Sequence, residues 1–314
     1  MSQPKRHHWW PQLQSGRWTD EANCVTAVNA DGSTFRASPE KLGVQSELYT
    51  RYELAGQKDL TIERWFSAEI EGPFVQALDR IATLDDIKIA WKITRDPTKE
   101  QEIKELGFKV PQYAEYMKID PQHRTAIDAY LAALLVRNPR YLEKLVAFHD
   151  HEGTPLPADL PRAQAIKTVA LNNMLTVFEI YRDRIAVSHI ALLIAEGDHE
   201  FLFGDGGITA DEPWKKGPIP FDIHAPLTPT LSLHVLPAPY GEVPGLMIMR
   251  VNNRGVARMN RLILADCERF VFCRGAPPLK FIQRYFGRPA PKAIGFRFMD
   301  GRLETKYDRS RDHD

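Results

Sequence analysis

Cysteine is scarce in this sequence: Cys24, Cys267 and Cys273 are the only three in 314 residues. An odd number at no metal-ligand spacing excludes a disulfide framework and a cysteine-rich zinc site, and fits reduced thiols in a reducing compartment. Net charge is lacking too, with 41 Lys+Arg against 41 Asp+Glu. Without a basic excess to displace counterions, the composition gives no support to a nucleic-acid partner beyond what a local basic patch would offer. Long apolar runs are missing. The strongest, at 127–136 and 189–195, fall far short of the roughly 20 residues that span a bilayer, so no membrane partner is expected. The first residues, Met1 to His8, are polar and have no apolar stretch of the kind a secretory signal needs. A soluble, cytoplasmic protein is the expectation. Internal repeats, low-complexity tracts, a P-loop and a dinucleotide fingerprint are all absent.

What is present is ordinary globular composition, 43% hydrophobic and 26% charged, arranged in three zones. Zone 1–60 reads as extended chain. Val25-Thr26-Ala27-Val28 and Ser33-Thr34-Phe35-Arg36 flank Asn29-Ala30-Asp31-Gly32, where Asp-Gly suits the positive φ of a tight hairpin. Zone 61–185 reads as helical. Leu60, Ile62, Trp65, Phe66, Ile70, Phe74, Leu78 and Ile81 recur near the helical period, with a break or kink expected at Gly72-Pro73. Asp96-Pro97, Asp120-Pro121 and Asn138-Pro139 each open a helix, with a capping side chain followed by a proline that needs no amide hydrogen. A further long helix is expected over 161–184. Zone 186–300 is mixed: a hairpin of 189–194 with 200–203, strands at 231–236 and 246–251, a helix capped by Asn252-Asn253, a strand at 269–272 and a last helix at 278–286. Strands, then helices, then strands predict an α+β fold. One domain over 1–300 is expected, its N- and C-terminal strands sharing a sheet on which the helical zone packs. Residues 301–314 read as a frayed polar tail.

Four groups of residues could carry chemistry. His7-His8-Trp9-Trp10-Pro11 offers imidazoles that ligate metals or act as bases near neutral pH. Neighbouring residues of a strand point to opposite faces, so one histidine would act while the other packs; the same residues also suit a structural strand start. Phe203-Gly204-Asp205-Gly206-Gly207-Ile208 follows a strand, and its glycines leave Asp205 open to a ligand or simply serve a turn. His149-Asp150-His151-Glu152 looks metal-like but sits at a helix end, where the dipole favours histidine. His123, His199, His224, His234 and His313 stand alone. Glu63, Glu69 and Glu71 form an acidic cluster, of which Glu69 or Glu71 can meet Arg137. That arginine would either order helix packing through a bidentate pair or hold a phosphate.

Together these segments resemble DUF4238, a mainly bacterial family without a settled activity. The family opens with a His-His-x-x-Pro signature, here His7-His8-Trp9-Trp10-Pro11. Its segment ending in Leu-Tyr resembles 38–49. Its Ile-Glu-Gly helix resembles Ile70-Glu71-Gly72, and its Arg-x-Pro at an apolar helix end resembles Arg137-Asn138-Pro139. Its Ser-Asp-Asn-Pro-Val loop corresponds to Gly204-Asp205-Gly206-Gly207-Ile208, where only the aspartate is kept. A Pro-Leu-Ser-Pro-like element resembles Pro226-Leu227-Thr228-Pro229, and the late Asn-bearing helix resembles 251–267, with Asn260 in the usual place. The resemblance implies that His7 or His8, Asp205, Glu71 and Arg137 converge on one cleft. His7, His8 and Asp205 would then hold a divalent metal and do the catalysis, while Arg137 and Glu71 bind substrate, as in a phosphodiester hydrolase of nuclease type. The alternative is a non-catalytic interaction module in which the same residues form a structural polar network around a degenerate site.

Overall fold

The computed structural model describes residues 6–53, 56–92, 97–110, 112–208, 223–236, 245–288, 295–299 and 302–306. In chain order the elements are β1 (Arg6–His8), α1 (Gln12–Ser15), β2 (Val25–Asn29), β3 (Thr34–Ala37), β4 (Val44–Ser46), β5 (Arg51–Tyr52) and β6 (Lys58–Asp59). Next come α2 (Thr61–Trp65), a π-helical turn (Phe66–Glu71), α3 (Gly72–Ala82), β7 (Ile87–Lys92), α4 (Pro97–Glu105), β8 (Tyr113–Lys118), α5 (Pro121–Val136), α6 (Pro139–His151) and α7 (Arg162–Ala186). The chain continues with β9 (His189–Ala195), β10 (Phe203–Gly204), β11 (Ile223–Pro226), β12 (Leu231–Leu236), β13 (Gly245–Val251), α8 (Asn253–Asp266), β14 (Phe270–Cys273), α9 (Leu279–Tyr285), β15 (Gly295–Met299) and β16 (Arg302–Lys306). The fold is α+β.

Local chemistry sets many of these boundaries. The Asp120 side chain accepts the His123 N–H at 2.8 Å, and Asn138 accepts that of Arg140 at 2.9 Å. Asn252 accepts from Arg254 and Gly255. Each cap satisfies amides that the first helical turn leaves open. Asp96 lies outside the described residues. The hairpin of β2 and β3 forms as expected, with Gly32 at φ +85°.

Two sheets organise the fold. A four-stranded antiparallel sheet runs β10-β14-β2-β3 and joins the N-terminal hairpin to late strands, as expected. A six-stranded sheet runs β11-β12-β9-β13-β8-β7, with β9 and β13 parallel. Here two expectations need correction. The 189–203 segment is not a hairpin: β9 pairs with β12 and β13, while β10 pairs with β14 in the other sheet. The helical zone also donates β7 and β8 to the large sheet. A third correction concerns the expected tail, because β16 pairs with β15 in an antiparallel hairpin.

Both faces of the large sheet are covered. Ile190, Leu192 and Ile194 join the main core with residues of α3, α5 and α7. Ala191 and Leu193 join a second core with Ile103 of α4, Leu106 just after it, and Val256 and Met259 of α8. Burial on both sides explains why β9 is a continuous apolar run rather than an alternating one. Helix α5 is buried from Ala126 to Val136, which makes it the central helix of the main core. Among the described residues, no helix is long and apolar enough to cross a membrane.

His224 and His234 sit opposite each other on β11 and β12, almost fully buried, with ring centroids 6.4 Å apart. Ser232 Oγ lies 3.1 Å from His224 Nδ1. Burial, aided by His234, pushes the His224 imidazole well below its ordinary value. The folded protein therefore keeps it neutral where the unfolded chain is protonated. The stability tied to this group is complete above the ordinary histidine value of about 6.5 and falls as the pH drops below it, by up to about 1.4 kcal/mol per pH unit. His224→Phe is expected to flatten the stability profile between pH 6.5 and 5, read by urea denaturation at a series of pH values. An acid limb as steep as wild type would assign the loss to other groups.

Candidate functional site

Strand β1 pairs antiparallel with β4, and strand alternation separates the two histidines. His7 points inward and is fully buried. Its Nδ1 accepts the Tyr49 N–H at 2.9 Å, and its ring stacks on Tyr49 with centroids 5.8 Å apart. His8 is half-buried on the other side. Its Nε2 lies 3.0 Å from Gln12 Nε2 and 3.3 Å from the Glu40 carbonyl. Burial pulls the His8 imidazole below its ordinary value, with the Arg137 charge adding in the same direction. Beyond it, Trp10 is fully buried and stacks on Phe203 and Phe272 with centroids 4.7 and 4.5 Å away. The tryptophans of the signature thus anchor the chain start on the four-stranded sheet.

The centre of the site is Arg137, at the C-terminal end of α5, with its side chain 1% exposed. One guanidinium nitrogen donates to Glu71 Oε1 at 2.6 Å, and another donates to the His8 carbonyl. The guanidinium lies over the Phe66 ring at 4.7 Å and the Tyr49 ring at 5.8 Å, a favourable placement for a cation on aromatic faces. The Tyr49 hydroxyl donates to the Arg137 carbonyl. Burial works against the charge of Arg137, but Tyr49, Glu71 and Glu63 together hold it firmly protonated. The same burial raises the Tyr49 hydroxyl, so Tyr49 stays a neutral donor.

Helix α2 and the π-helical turn that continues it supply the two carboxylates, Glu63 and Glu71 respectively. Pro73 has no N–H to give to the carbonyl four residues back, and the chain answers with a wider turn over Phe66–Glu71 where the sequence suggests a break. The widening has a geometric result. In a regular α-helix, Glu63 and Glu71 would stand about 80° apart around the axis, at about 100° per residue. A π turn absorbs one residue and brings them to within about 20°, onto one face. Glu71 pairs with Arg137. The Glu63 carboxyl lies against the His8 N–H, and its Oε2 is buried without a hydrogen-bond partner among the described residues. Burial, reinforced by Glu71 and opposed by Arg137, pushes Glu63 up to about 7.

Asp205 has a different setting. Its two carboxylate oxygens accept the Glu268 N–H at 2.9 Å and the Arg269 N–H at 2.7 Å. It therefore ties the end of β10 to the link between α8 and β14. Burial pushes its pKa up, while the N–H groups of Glu268, Arg269 and Phe270 pull it down; the net direction is upward. The glycines explain how it gets there. A Cβ on Gly206 would stand 2.3 Å from the Asp266 carbonyl, and Gly207 holds φ +76°, which proline cannot adopt. The loop lies directly against the end of α8, an approach that a Ser-Asp-Asn-Pro loop could not make.

Asn138 links the two regions. Its side chain caps α6 through Arg140 and donates to the Gly206 carbonyl. Successive residues at the α5–α6 corner thus hold the chain start through Arg137 and the Asp loop through Asn138. Asp205 also lines a shallow hollow of about 160 Å³ with Arg140, Glu143, Asp266, Glu268 and Arg269, and no histidine lines it. Nδ1 of His7 and both oxygens of Asp205 accept backbone N–H groups, and Nε2 of His8 lies beside Gln12 and the Glu40 carbonyl. Among the described residues, no group of three or more His, Cys, Asp or Glu is placed to hold a metal ion. His149 lies within hydrogen-bonding distance of Thr154 and Asn173 at its helix end, and His313 lies outside the described residues.

The profile of a family described as a protein of unknown function, DUF4238, matches residues 6–276. The chain belongs to the DUF4238 family. The match runs from β1 to just past β14, so it takes in the whole Arg137 hub and the Asp205 loop; α9 and the β15–β16 hairpin lie beyond it. No curated protein and no solved structure matches the chain. Within this DUF4238 protein, the sequence offers Arg137 either Glu69 or Glu71, of which the structure uses Glu71, and gives Glu63 no role. The one available signal was Pro73 two residues after Glu71, which marks a shifted helical register.

Proposed function

We propose that this DUF4238 protein is a hydrolase that works by general acid–base catalysis at the face shared by His8 and Glu71, with phosphodiesters as the first class to try. The observation that carries this is the convergence of two carboxyls and the His8 main chain on one buried arginine, with the His8 imidazole close enough to feel the Arg137 and Glu71 charges. Core packing requires only one partner for that arginine. His8, held below its ordinary value, is neutral near pH 7 and suited to take a proton from water. Arg137 pairs with Glu71 at 2.6 Å and fixes its position. The metal-assisted nuclease chemistry implied by the resemblance has lost its supports. His7 and Asp205 commit a ring nitrogen and carboxylate oxygens to backbone amides, and the Arg137 guanidinium is enclosed and paired rather than open to a phosphate.

A second reading keeps the network and drops the catalysis. It is favoured by the way His7, Arg137, Asn138 and Asp205 each join segments distant in sequence. His8 separates the two. Its contribution to the network is a backbone carbonyl, which survives any substitution of the side chain. His8→Ala is therefore expected to keep the wild-type melting temperature and to lose about 100-fold or more of the turnover of bis(p-nitrophenyl) phosphate. Loss of stability with no change in turnover would favour the non-catalytic network.

A further inference from the structure

We propose that Glu63 is the general acid of this site, a role that rests on the hydrolase reading and names the residue that protonates the leaving group. Three observations place it there. The π turn puts Glu63 on the same helix face as Glu71, beside Arg137. Its carboxyl lies against the His8 N–H, which sets it next to the imidazole-bearing residue. Its Oε2 is buried and has no partner among the described residues, although a buried carboxyl oxygen without a hydrogen bond is unfavourable unless a ligand or substrate supplies one.

The two carboxyls are driven apart in character by their surroundings. Glu71 is paired with the Arg137 guanidinium. Glu63, pushed up to about 7 by burial, retains its proton over much of the neutral range and can donate it. Neighbouring acidic groups divided in this way mark acid and base assignments. The charged and titratable groups facing Glu63 are Glu71 from the π turn, Arg137 at the end of α5 and Tyr49 from the segment after β4, while His8 of β1 meets it through the backbone N–H and carries the imidazole beside it. Tyr49 stays neutral and Arg137 stays charged across the working range, which leaves His8 and Glu63 as the pair that titrates.

The step balances as follows. Water oxygen bonds to the electrophilic centre as its proton passes to the His8 imidazole. The bond from that centre to the leaving oxygen breaks as the Glu63 proton passes to that oxygen. Imidazolium then returns its proton to solvent, and the Glu63 carboxylate takes one back.

The test uses the full chain, with a dinucleoside monophosphate, whose alkoxide leaving group needs a proton to depart, as the assay probe and ¹³C-labelled glutamate side chains for NMR titration. Wild type is expected to lose activity about tenfold per pH unit above the Glu63 midpoint, and that midpoint is expected above pH 6. Glu63→Gln is expected to fold normally, to lose at least 100-fold in kcat and to lose the alkaline limb. A Glu63 midpoint below pH 5, or a Glu63→Gln variant that retains wild-type kcat and the same alkaline limb, overturns the assignment while leaving a hydrolase in place. A wild-type protein with no turnover of the probe overturns both the assignment and the hydrolase reading.

Discussion

Arg137→Ala is expected to destabilise the protein by about 3–5 kcal/mol, the range seen when one partner of a buried ion pair is removed. The loss has several parts. Glu71 loses its cation, the His8 carbonyl loses its donor, and Phe66 and Tyr49 lose the planar group that covers their faces. Glu63 and Glu71 then face each other with no positive charge between them. Arg137→Lys keeps the charge but replaces a rigid fork with a single ammonium, so it is expected to recover only part of the loss. A Glu71→Met, Arg137→Met double variant is the informative control. Apolar groups of similar volume leave no stranded charge, and the double variant is expected to be more stable than Arg137→Ala. Urea denaturation of the variants measures all three differences. If Arg137→Ala lies within 1 kcal/mol of wild type, the hub does not hold the chain start to the helical region.

What could be seen in the sequence was what depends on near neighbours. Asp120, Asn138 and Asn252 mark helix starts because a cap and its amides lie within three residues of each other. The β2–β3 hairpin was legible for the same reason. The 189–203 segment was misleading: Glu196-Gly197-Asp198-His199 carries good local turn chemistry, yet β9 finds its partners in β12 and β13, tens of residues later. Strands β7 and β8 were hidden between strong helix starts, and Ile89 is 64% exposed, which weakens the apolar signal of an outer strand. The site divides along the same line. Arg137 and Glu71 suggest each other by charge and by their place at helix ends. Glu63 is eight residues from Glu71, a spacing that only a π turn aligns. The partners of Asp205 are backbone amides, and no pattern of side chains reveals an amide.

Asp205→Ala is expected to destabilise the protein by about 2–4 kcal/mol without touching the chemistry at His8. A hydrogen bond to a charged group contributes about 1.5–3 kcal/mol, and the Glu268 and Arg269 amides both donate to this carboxylate. Asp205→Asn keeps one acceptor oxygen and turns an NH2 group toward the other amide, so it is expected to recover less than half. Because Gly206 packs against the Asp266 carbonyl with no room for a Cβ, the loop has little freedom to bring another acceptor to these amides. The damage should therefore be local. Amide exchange over 266–272 should speed up strongly in Asp205→Ala, while β9, paired on both sides, keeps its protection. Turnover per folded molecule should match wild type, since this carboxylate holds backbone rather than substrate. The opposite pattern, wild-type stability and exchange with activity lost, would return Asp205 to the reacting centre and make the tether incidental.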